Sequence, residues 1–306
     1  MSTMKSLSSQ DYYFSIVAAL KQKNVPPGGE AMMEAILAAF PSGSRKIVDF
    51  GCNTGWISRR VARAFPRAEV IGVDENPAII DVAREVARLE GSTAMFSCVD
   101  IAALPGVMSE ADVIICGGSA AFFERPLDLY RMVARCLRPG GLLMDCHYVY
   151  DADAPPCLRQ EEKETFGLGW MPDGLNDIVA VHEDAGLSVG KIKRLPRFHF
   201  EDSAAARLAR DILHTVPKMQ ELAEAMAKRR RLISKLAHHR HPYLLVARAG
   251  ERIGAEGVRQ RKRTEVPMAL EAVTSNRHVS VRHPTVAARS FWMEAARAVR
   301  LQSAYS

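Results

Sequence analysis

Short apolar runs alternate with amphipathic stretches over the first half of the chain. The apolar runs predict five strands, at residues 46–50, 69–74, 94–99, 111–116 and 142–146. Between the strands, apolar residues recur every three or four positions, which is the spacing of a helix face. The clearest sets are Ile57, Val61, Ala62 and Phe65; Ala78, Ile79, Val82, Ala83, Val86 and Leu89; and Leu127, Tyr130, Val133, Ala134 and Leu137. Strands that are apolar throughout and alternate with helices indicate a parallel sheet covered by helices on both faces.

The pattern becomes looser after Cys146. Residues 147–176 are expected to be loop-like, because they contain two adjacent prolines and several glycines. A short helix at 177–185 and a strand at 187–195 follow. A helical insertion comes next, with a first helix at 203–216 and then an apolar stripe formed by Met219, Leu222, Met226, Ile233 and Leu236. A last strand at 243–247 ends the patterned region.

These segments divide the chain into three parts. Residues 1–28 are expected to form an N-terminal cap or helix. Residues 29–250 form the main α/β domain, with a helical lid insertion at about 196–242. Residues 251–306 form a basic C-terminal extension that ends in a helix at 290–301. The insertion or the extension is also where we expect the contact in a homodimer.

The composition is that of a globular protein. Of the 306 residues, 48% are hydrophobic and 25% are charged, which is close to the average. These values exclude a disordered chain, a collagen-like chain and a coiled-coil rod. The longest apolar runs, such as 113–116, are far shorter than the roughly 20 residues of a membrane span, and the polar first residues lack a signal-peptide core. We therefore expect a cytoplasmic protein without membrane contact.

The net charge of +6 is unevenly distributed along the chain. Residues 251–306 hold 10 Lys and Arg against 5 Asp and Glu, and residues 228–241 hold 6 basic residues and no acidic one. The remaining chain is neutral to acidic, so a basic stripe across the whole fold is not indicated. A basic run of this kind is more often a solvated face than a binding site.

The cysteines and histidines do not suggest a metal site. None of the six cysteines forms a Cys-x-x-Cys pair, the spacing of zinc sites and thioredoxin motifs. His238, His239 and His241 are also too closely spaced for zinc. We expect buried free thiols in a reducing compartment and no metal.

A glycine-bearing turn between the first strand and its helix is the main chemical signal. Gly51 and Gly55 permit positive φ angles and the close approach of a ligand to the backbone. The spacing differs from the G-x-G-x-x-G fingerprint of dinucleotide sites, and no Lys follows as in a phosphate-binding loop. Asp74 ends the second strand, and a carboxylate can accept hydrogen bonds from both hydroxyls of a ribose. The pattern therefore favours a nucleoside ligand without a pyrophosphate.

Five stretches, taken in order, resemble motifs of the class I S-adenosylmethionine-dependent methyltransferases. Residues 48–55 are similar to the glycine-rich motif, Val73-Asp74 to the ribose-binding acid, and Val99-Asp100-Ile101 to the adenine-edge motif. Residues 137–142 resemble the stretch before the fifth strand of that family, and 243–247 its reversed last strand. The resemblance covers roughly residues 29–249. It implies a Rossmann-like, seven-stranded, mostly parallel sheet with helices on both faces, a helical insertion and a reversed last strand.

The resemblance also implies a site for S-adenosyl-L-methionine, with S-adenosyl-L-homocysteine as the product. Asp49 would meet the methionine amine, Asp74 the ribose hydroxyls and Asp100 the adenine amino group. Asn53 stands where the family more often has glycine, and Asn tolerates the left-handed conformation. The implied cofactor residues are Asp49, Gly51, Cys52, Asn53, Gly55, Trp56, Asp74, Glu75, Asp100, Ile101, Gly117 and Ser119. For Trp56 two interpretations stay open, contact with the methionine end or packing of the first helix.

Candidate acceptor-side residues follow the fourth and fifth strands or lie near the N-terminus. His147, one residue past the predicted fifth strand, has an ordinary pKa of about 6.5 that suits a general base; the alternative is a hydrogen bond to a loop carbonyl. Tyr148 is the second catalytic candidate. The candidates for acceptor binding are Tyr12, Tyr13, Phe122, Tyr150 and Trp170. For Tyr12 and Tyr13, ordinary helix packing is an equal alternative.

The sequence therefore predicts methyl transfer to the nitrogen or oxygen of a small molecule, for example in specialised metabolism. A nucleic-acid methyltransferase is the first alternative, favoured by the basic tail. It is disfavoured because Cys116-Gly117-Gly118-Ser119 stands where such enzymes carry an Asn/Asp-Pro-Pro-Tyr/Phe motif. The second alternative is a non-catalytic, cofactor-binding scaffold protein. The identity of the acceptor does not follow from the sequence.

Overall fold

The computed structural model describes residues 26–100, 103–198 and 220–250. The strands are β1 (Lys46–Phe50), β2 (Glu69–Asp74), β3 (Met95–Cys98), β4 (Ala111–Cys116), β5 (Leu137–Tyr150), β6 (Leu187–Arg194) and β7 (Arg240–Ala249). The α-helices are α1 (Gly29–Ala39), α2 (Trp56–Ala64), α3 (Pro77–Glu90), α4 (Leu104–Val107), α5 (Pro126–Cys136), α6 (Pro156–Phe166), α7 (Leu175–Asp184) and α8 (Gln220–Leu236). A 3₁₀ helix spans Ser119–Phe122.

The seven strands form one sheet in the order β3-β2-β1-β4-β5-β7-β6. Strands β1 to β5 pair in parallel, and β7 is antiparallel to both β5 and β6. The predicted seven-stranded, mostly parallel sheet with a reversed last strand is thus confirmed. The parallel order changes direction between β1 and β4, and the carboxyl ends of both strands lie at this switch point, where ligands bind in open α/β sheets.

Helices cover both faces of the sheet, as predicted. Successive residues of β1 point to opposite faces, and Ile47 and Val48 accordingly belong to different buried clusters. The cluster around Ile47 contains residues of α1, α2 and α3, whereas the cluster around Val48 contains residues of α4 and α5. The fully apolar strands predicted from the sequence are therefore explained by burial on both sides.

Helix α3 begins as the sequence predicts. The side chain of Asn76 accepts hydrogen bonds from the backbone N–H groups of Ala78 and Ile79, and Pro77 is the first helical residue. Asn76 satisfies two N–H groups that have no partner within the helix, and Pro77 has no N–H group that would need one. The predicted apolar face is wrong at both ends, because Ala78 is exposed and the side chain of Leu89 is 63% exposed.

Strand β5 is longer than the sequence predicts, and only residues 151–155 and 167–174 of the predicted loop 147–176 lack a helix or strand. The strand continues to Tyr150 because β7 pairs with it over this whole stretch, from Leu142↔Arg248 to Tyr150↔Arg240. The helix α6 occupies residues 156–166. The predicted turn at 138–141 survives as an irregularity at the start of β5, where the pairing with β4 shifts register between Ala111 and Val113.

Helix α8 is the described part of the predicted insertion. Leu232 and Leu236 are buried against Leu158 of α6, so the prediction that Leu236 faces the protein is confirmed. Ile233, predicted on the same stripe, is only half-buried. Residues 1–25 of the predicted cap (1–28), the helix at 203–216 and the C-terminal extension lie outside the described residues.

Among the residues that the structure describes, strand β6 forms one edge of the sheet. Lys191, Lys193 and Arg194 are exposed on it, and its pairing with β7 shifts register between Val189 and Lys191, at Gly190. Charged side chains and a bulge are typical of edges that do not pair with other strands.

Four of the six cysteines are buried as predicted, and the prediction of burial is wrong for the other two. Cys52, Cys116, Cys136 and Cys146 are buried, whereas Cys98 and Cys157 are exposed. Burial raises the pKa of Cys136 to about 11 and that of Cys116 well above its usual range. These two residues are therefore neutral thiols at physiological pH. Among the described residues, no helix could cross a membrane, and no group of three His, Cys, Asp or Glu side chains could hold a metal ion.

Candidate functional site

The turn after β1 adopts the strained backbone that the sequence predicts. Its φ angles are +67° at Gly51, +49° at Asn53 and +74° at Gly55. The side chain of Asn53 accepts a hydrogen bond from the backbone N–H of Thr54 (2.8 Å), a local bond of the kind that lets Asn occupy the left-handed region. The predicted tolerance of Asn at this position is thus borne out by the geometry.

Glycine is required at both positions because the φ angles are positive and because neighbouring atoms leave no room for a Cβ atom. A Cβ atom at Gly51 would lie 2.5 Å from Cβ of Ser119, and one at Gly55 would lie 2.3 Å from the ring of Phe96. The turn therefore packs directly against the segment that follows β4 and against β3. Residues that follow β1 and β4 and a residue within β3 meet here.

Asp49 lies beneath the turn, is 1% exposed and has one unpaired oxygen. Its Oδ2 accepts hydrogen bonds from the backbone N–H (3.1 Å) and the hydroxyl (2.5 Å) of Ser58. Its Oδ1 is buried and has no hydrogen-bond partner among the described residues. Burial raises the pKa of Asp49 to about 6, against the opposing effect of the Ser58 bonds. An unpaired, buried carboxylate oxygen is costly unless a cationic or donor group binds it.

Asp74 ends β2 and joins it to the turn. Its Oδ2 accepts from the backbone N–H of Asn53 and its Oδ1 from that of Asn76, both at 3.0 Å. Burial raises its pKa, and these backbone bonds oppose the rise. Each oxygen keeps a further lone pair, so the fixed carboxylate can still accept from ribose hydroxyls.

The residues predicted to bind adenine lie at the same edge. Glu75 and Asp100 are exposed, directly after β2 and two residues after β3. The pKa of Glu75 is raised by partial burial and then by the charges of Asp74 and Asp100. The three carboxylates are thus close enough to interact. Ile101 lies outside the described residues.

The segment after β4 forms the other wall of the site. Ser119 donates a hydrogen bond from Oγ to the backbone oxygen of Phe50 (2.9 Å). A Cβ at Gly117 would lie 2.5 Å from Ile57, and one at Gly118 would lie 3.0 Å from Pro27. The segment is therefore held between α2 and the residues that precede α1.

Trp56 and Cys52 are both buried. Trp56 is 4% exposed, belongs to the core cluster of α1 and α2, and carries the guanidinium of Arg60 4.8 Å above its ring. This placement supports the packing interpretation. Cys52 joins the turn to β2 through its backbone N–H, which donates to the oxygen of Val73 (2.9 Å).

His147 lies within β5 rather than past it, and it is 4% exposed. Its predicted position one residue after the strand is therefore wrong, because the pairing with β7 extends β5. Its Nε2 lies 2.7 Å from Oδ2 of Asp145 and 2.9 Å from the hydroxyl of Tyr130. His147 thus contacts a buried carboxylate and not a loop carbonyl.

Tyr148 and Tyr150 belong to a second buried polar cluster, which the sequence did not predict. The guanidinium of Arg240 lies 3.7 Å from the ring centre of Tyr148 and forms an ion pair with Glu162. The hydroxyl of Tyr150 donates to the same Glu162. Arg240 and Glu162 are far apart in sequence, so only the pairing of β5 with β7 and the packing of α6 bring them together.

Aromatic side chains lie beside His147. Trp170 packs edge-on against the ring of His147 at 5.4 Å and against Tyr130 at 6.2 Å. The backbone N–H of Trp170 donates to the oxygen of Ala121 (3.0 Å), next to the half-buried Phe122. The predicted acceptor-side residues Phe122, Trp170 and His147 are therefore neighbours. Tyr12 and Tyr13 lie outside the described residues.

A substitution in the turn tests how tightly it packs. Gly55→Ala is expected to lower the free energy of unfolding more than Gly91→Ala. Both residues have positive φ, +74° and +63°, which costs a side chain about 1–2 kcal/mol. Only Gly55 has a neighbour, because nothing lies within 4 Å of a Cβ at Gly91. The clash with Phe96 should add about 1–3 kcal/mol. Urea unfolding measures both; equal losses would contradict the close packing.

Comparison with known proteins finds a family that matches part of the chain. Residues 47–141 match the family described as "Methyltransferase domain". The chain is 26% identical over 140 residues to the malonyl-[acyl-carrier protein] O-methyltransferase of Hahella chejuensis, covering 46% of this chain and 47% of that protein. It is 33% identical over 99 residues to the trans-aconitate 2-methyltransferase of Acidovorax sp., covering 32% and 36%. The chain thus spans about half or less of these two relatives.

Solved structures resemble the fold over a larger part of the chain than the family match covers. The [4+2]-cyclase SpnF superimposes with a TM-score of 0.61 at 18% identity, covering 82% of this chain and 100% of that one. At this identity the likeness concerns the fold alone. The matched residues 47–141 run from β1 into β5 and include the turn, Asp74 and the segment after β4.

Proposed function

We propose that this chain, whose residues 47–141 match the family described as "Methyltransferase domain", is a class I S-adenosylmethionine-dependent methyltransferase that transfers a methyl group to a small-molecule acceptor. The observation that carries this proposal is the buried, unpaired Oδ1 of Asp49 beneath the glycine turn. The ammonium group of the methionine moiety would supply the missing donor. A pyrophosphate would instead bring negative charge to this carboxylate.

The other residues at the edge fit the remaining parts of S-adenosylmethionine. Asp74, fixed by two backbone N–H groups, would accept from the ribose hydroxyls, and Glu75 and Asp100 lie where the adenine would be held. The positive φ angles of Gly51 and Gly55 keep the turn free of side chains that would fill the space. The arrangement suits a nucleoside joined to an amino acid.

Catalysis would rest mainly on positioning and on the exclusion of water. When bound, S-adenosylmethionine supplies an electrophilic methyl group on its sulfonium sulfur. The segment Gly117–Ser119 would hold this end of the cofactor against the acceptor. The acceptor would be enclosed by Trp170, Phe122 and Tyr148. Holding two reactants in alignment in this way can supply much of an enzyme's rate acceleration.

A small acceptor is favoured over a nucleic acid. The two named relatives methylate malonyl-[acyl-carrier protein] and trans-aconitate according to their names, which supports O-methylation as one candidate and leaves N-methylation open. The described residues that would enclose the acceptor, namely Phe122, Tyr148 and Trp170, are aromatic and carry no positive charge. Nucleic-acid binding requires basic contacts to the backbone.

A different reaction on the same fold is the second candidate. The [4+2]-cyclase SpnF has this fold, so the fold does not by itself fix the reaction. A protein that binds the cofactor without transferring its methyl group would keep Asp49 and Asp74 and release no demethylated product. Measuring product formation separates the two candidates.

Calorimetric titration of the full chain tests the cofactor. S-adenosylmethionine and S-adenosylhomocysteine are each expected to bind with 1:1 stoichiometry, because one glycine turn serves one nucleoside. A nicotinamide or flavin nucleotide should give no heat. The Asp74→Ala variant should bind more weakly, whereas Asp81→Asn, on the exposed side of α3, should bind as the wild type does. Tight binding of a nicotinamide or flavin nucleotide and none of either adenosyl ligand would overturn the proposal.

A further inference from the structure

Arg59 is a buried arginine that is not among the site residues predicted from the sequence. It is the fourth residue of α2 and is 8% exposed. Side chains of a helix lean toward its N-terminus, so the long side chain of Arg59 reaches back to the glycine turn that precedes α2. A buried guanidinium is costly unless its donors are bound, and its partners therefore indicate its role.

The guanidinium of Arg59 lies directly beneath the turn. Its Nη1 donates a hydrogen bond to the backbone oxygen of Thr54 (2.5 Å), and a Cβ atom at Gly55 would lie 3.3 Å from the same nitrogen. The backbone N–H of Arg59 also donates to the oxygen of Gly55 (3.0 Å). Two successive carbonyl groups of the turn are thus bound by one residue.

Glu90 holds the guanidinium in this place. The Nε of Arg59 donates to Oε2 of Glu90 (2.9 Å), a hydrogen bond that is strengthened by the two opposite charges. Glu90 is the last residue of α3, and its side chain is 42% exposed. Helix α3 begins just after Asp74, the acid predicted to bind the ribose. The pair of Arg59 and Glu90 therefore connects the turn to the far end of this helix.

The turn requires such support because part of its backbone is strained. Asn53 has a φ of +49°, a left-handed conformation that costs free energy for a residue with a side chain. Strained backbone of this kind persists only where the surrounding structure leaves it no alternative. Two other bonds contribute, from the N–H of Asn53 to Asp74 (3.0 Å) and from the N–H of Gly55 to the oxygen of Cys52 (2.9 Å). Both hold N–H groups of the turn, whereas Arg59 holds its carbonyl groups.

We propose that Arg59, held by Glu90, is a positioning residue that keeps the glycine turn in its ligand-binding shape before S-adenosylmethionine binds. The proposal rests on the proposed function, since it assumes that the turn receives this ligand. A binding site that is formed in advance loses less conformational freedom on binding, and its affinity is higher for that reason. Arg59 acts through the carbonyl groups of Thr54 and Gly55 and needs no contact with the ligand.

Calorimetric titration with S-adenosylhomocysteine tests this role. Arg59→Met keeps an apolar stem but removes the donors. Its Kd is expected to rise about tenfold, because the apparent affinity falls with the fraction of protein in the binding-competent shape. Glu90→Gln should raise Kd less, since the amide oxygen still accepts from Nε. Arg63→Met, which changes an exposed arginine of the same helix, should leave Kd unchanged.

Arg59→Lys provides a second variant. It keeps the charge, but an ammonium group lacks the rigid fork with which the guanidinium binds Thr54 and Glu90 at once. Its Kd should therefore also rise, although less than that of Arg59→Met. The lysine variant takes the place of Arg59→Met in every measurement if Arg59→Met does not fold. An unchanged Kd in the variant that folds would overturn the proposal.

Hydrogen exchange followed by mass spectrometry separates positioning from a general loss of stability. In the ligand-free protein, the N–H groups of residues 51–58 are expected to exchange about tenfold faster in Arg59→Met than in the wild type, since the turn opens more often. Residues 142–146 of β5 should exchange at the same rate in both proteins. Saturation with S-adenosylhomocysteine should return residues 51–58 of the variant to nearly the wild-type rate. Equal acceleration in both regions, or none at 51–58, would contradict the proposal.

The outcomes separate this proposal from the proposed function. If neither adenosyl ligand binds the wild type, the proposed function fails, and exchange at residues 51–58 of the ligand-free proteins still decides whether Arg59 holds the turn. If the ligand binds the wild type and Arg59→Met equally well, only the role of Arg59 fails.

Discussion

Asp49→Asn is expected to weaken the binding of S-adenosylhomocysteine by roughly 10- to 100-fold while leaving the ligand-free protein at least as stable as the wild type. The carboxylate would form a charge-assisted bond to the ligand amine, and such bonds contribute about 1.5–3 kcal/mol. The amide places an N–H₂ or a neutral oxygen there. In the ligand-free protein, however, the buried charge of Asp49 is a cost that the amide removes.

The pH dependence of stability has a definite sign. The folded-state pKa of Asp49 is about 6, raised from 3.8 mainly by burial. A carboxyl whose pKa is raised on folding contributes stability while it is protonated, and this contribution is lost as the pH rises from about 4 through about 6. The unfolding free energy of the wild type, minus that of Asp49→Asn, should therefore fall over this range. S-adenosylhomocysteine should reduce the fall, because its ammonium group stabilises the ionised carboxylate.

Chemical unfolding at pH 4, 5, 6 and 7, with and without ligand, measures both effects. Asp81→Asn serves as the control because that carboxylate is exposed. A parallel loss of affinity and of ligand-free stability in Asp49→Asn would mean that Asp49 holds the fold together, and its role in binding would then be withdrawn.

Arg240→Ala is expected to lower the free energy of unfolding by about 3–5 kcal/mol. Arg240 is 7% and Glu162 6% exposed, and removal of one partner leaves the other as an uncompensated buried charge. The stacking of the guanidinium on Tyr148 is also lost, which is a cation–π contact. The measurement is equilibrium unfolding in urea at pH 7.

Arg248→Ala provides the matched control on the same strand. Arg248 is exposed and bonds only to the backbone oxygen of Gly140 (2.8 Å) among the described partners, so its loss should cost below about 0.5 kcal/mol. A double variant, Arg240→Met with Glu162→Gln, should recover much of the stability lost in Arg240→Ala because no charge remains buried. Similar losses in Arg240→Ala and Arg248→Ala would contradict the account of a buried pair.

The placement of the residues predicted to bind the cofactor could be predicted because they lie close to the ends of strands that are themselves easy to recognise. The run before Gly51 and the run that ends at Asp74 are both apolar, and in a parallel sheet their carboxyl ends meet at one edge. The left-handed Asn53 also followed from the sequence. Apolar runs along the chain, together with the rule that the carboxyl ends of parallel strands share one edge, were sufficient to place these residues together.

The acceptor half was not predictable in the same way. His147 was placed past a strand because two adjacent prolines and several glycines follow, yet the antiparallel partner β7 extends β5 to Tyr150. The side chains that gather around Asp145 and Glu162, namely Tyr130, His182 and Arg240, come from two helices and a distant strand. Burial of polar side chains is decided by such tertiary contacts, and hydrophobic patterning carries no signal for it. The alternation of Tyr148, Val149 and Tyr150, residues with strand preference, was the one available hint.

The edge of the sheet at β6 bears on how two copies of the chain could associate. If two β6 strands were to lie side by side, Lys191, Lys193 and Arg194 of one copy would face the same cations of the other, and the bulge at Gly190 would break the register. Like charges opposite each other disfavour such a continuous sheet. Self-assembly by strand addition is thereby discouraged, which directs any homodimer toward helical surfaces and gives the chain some protection from fibril growth at high concentration.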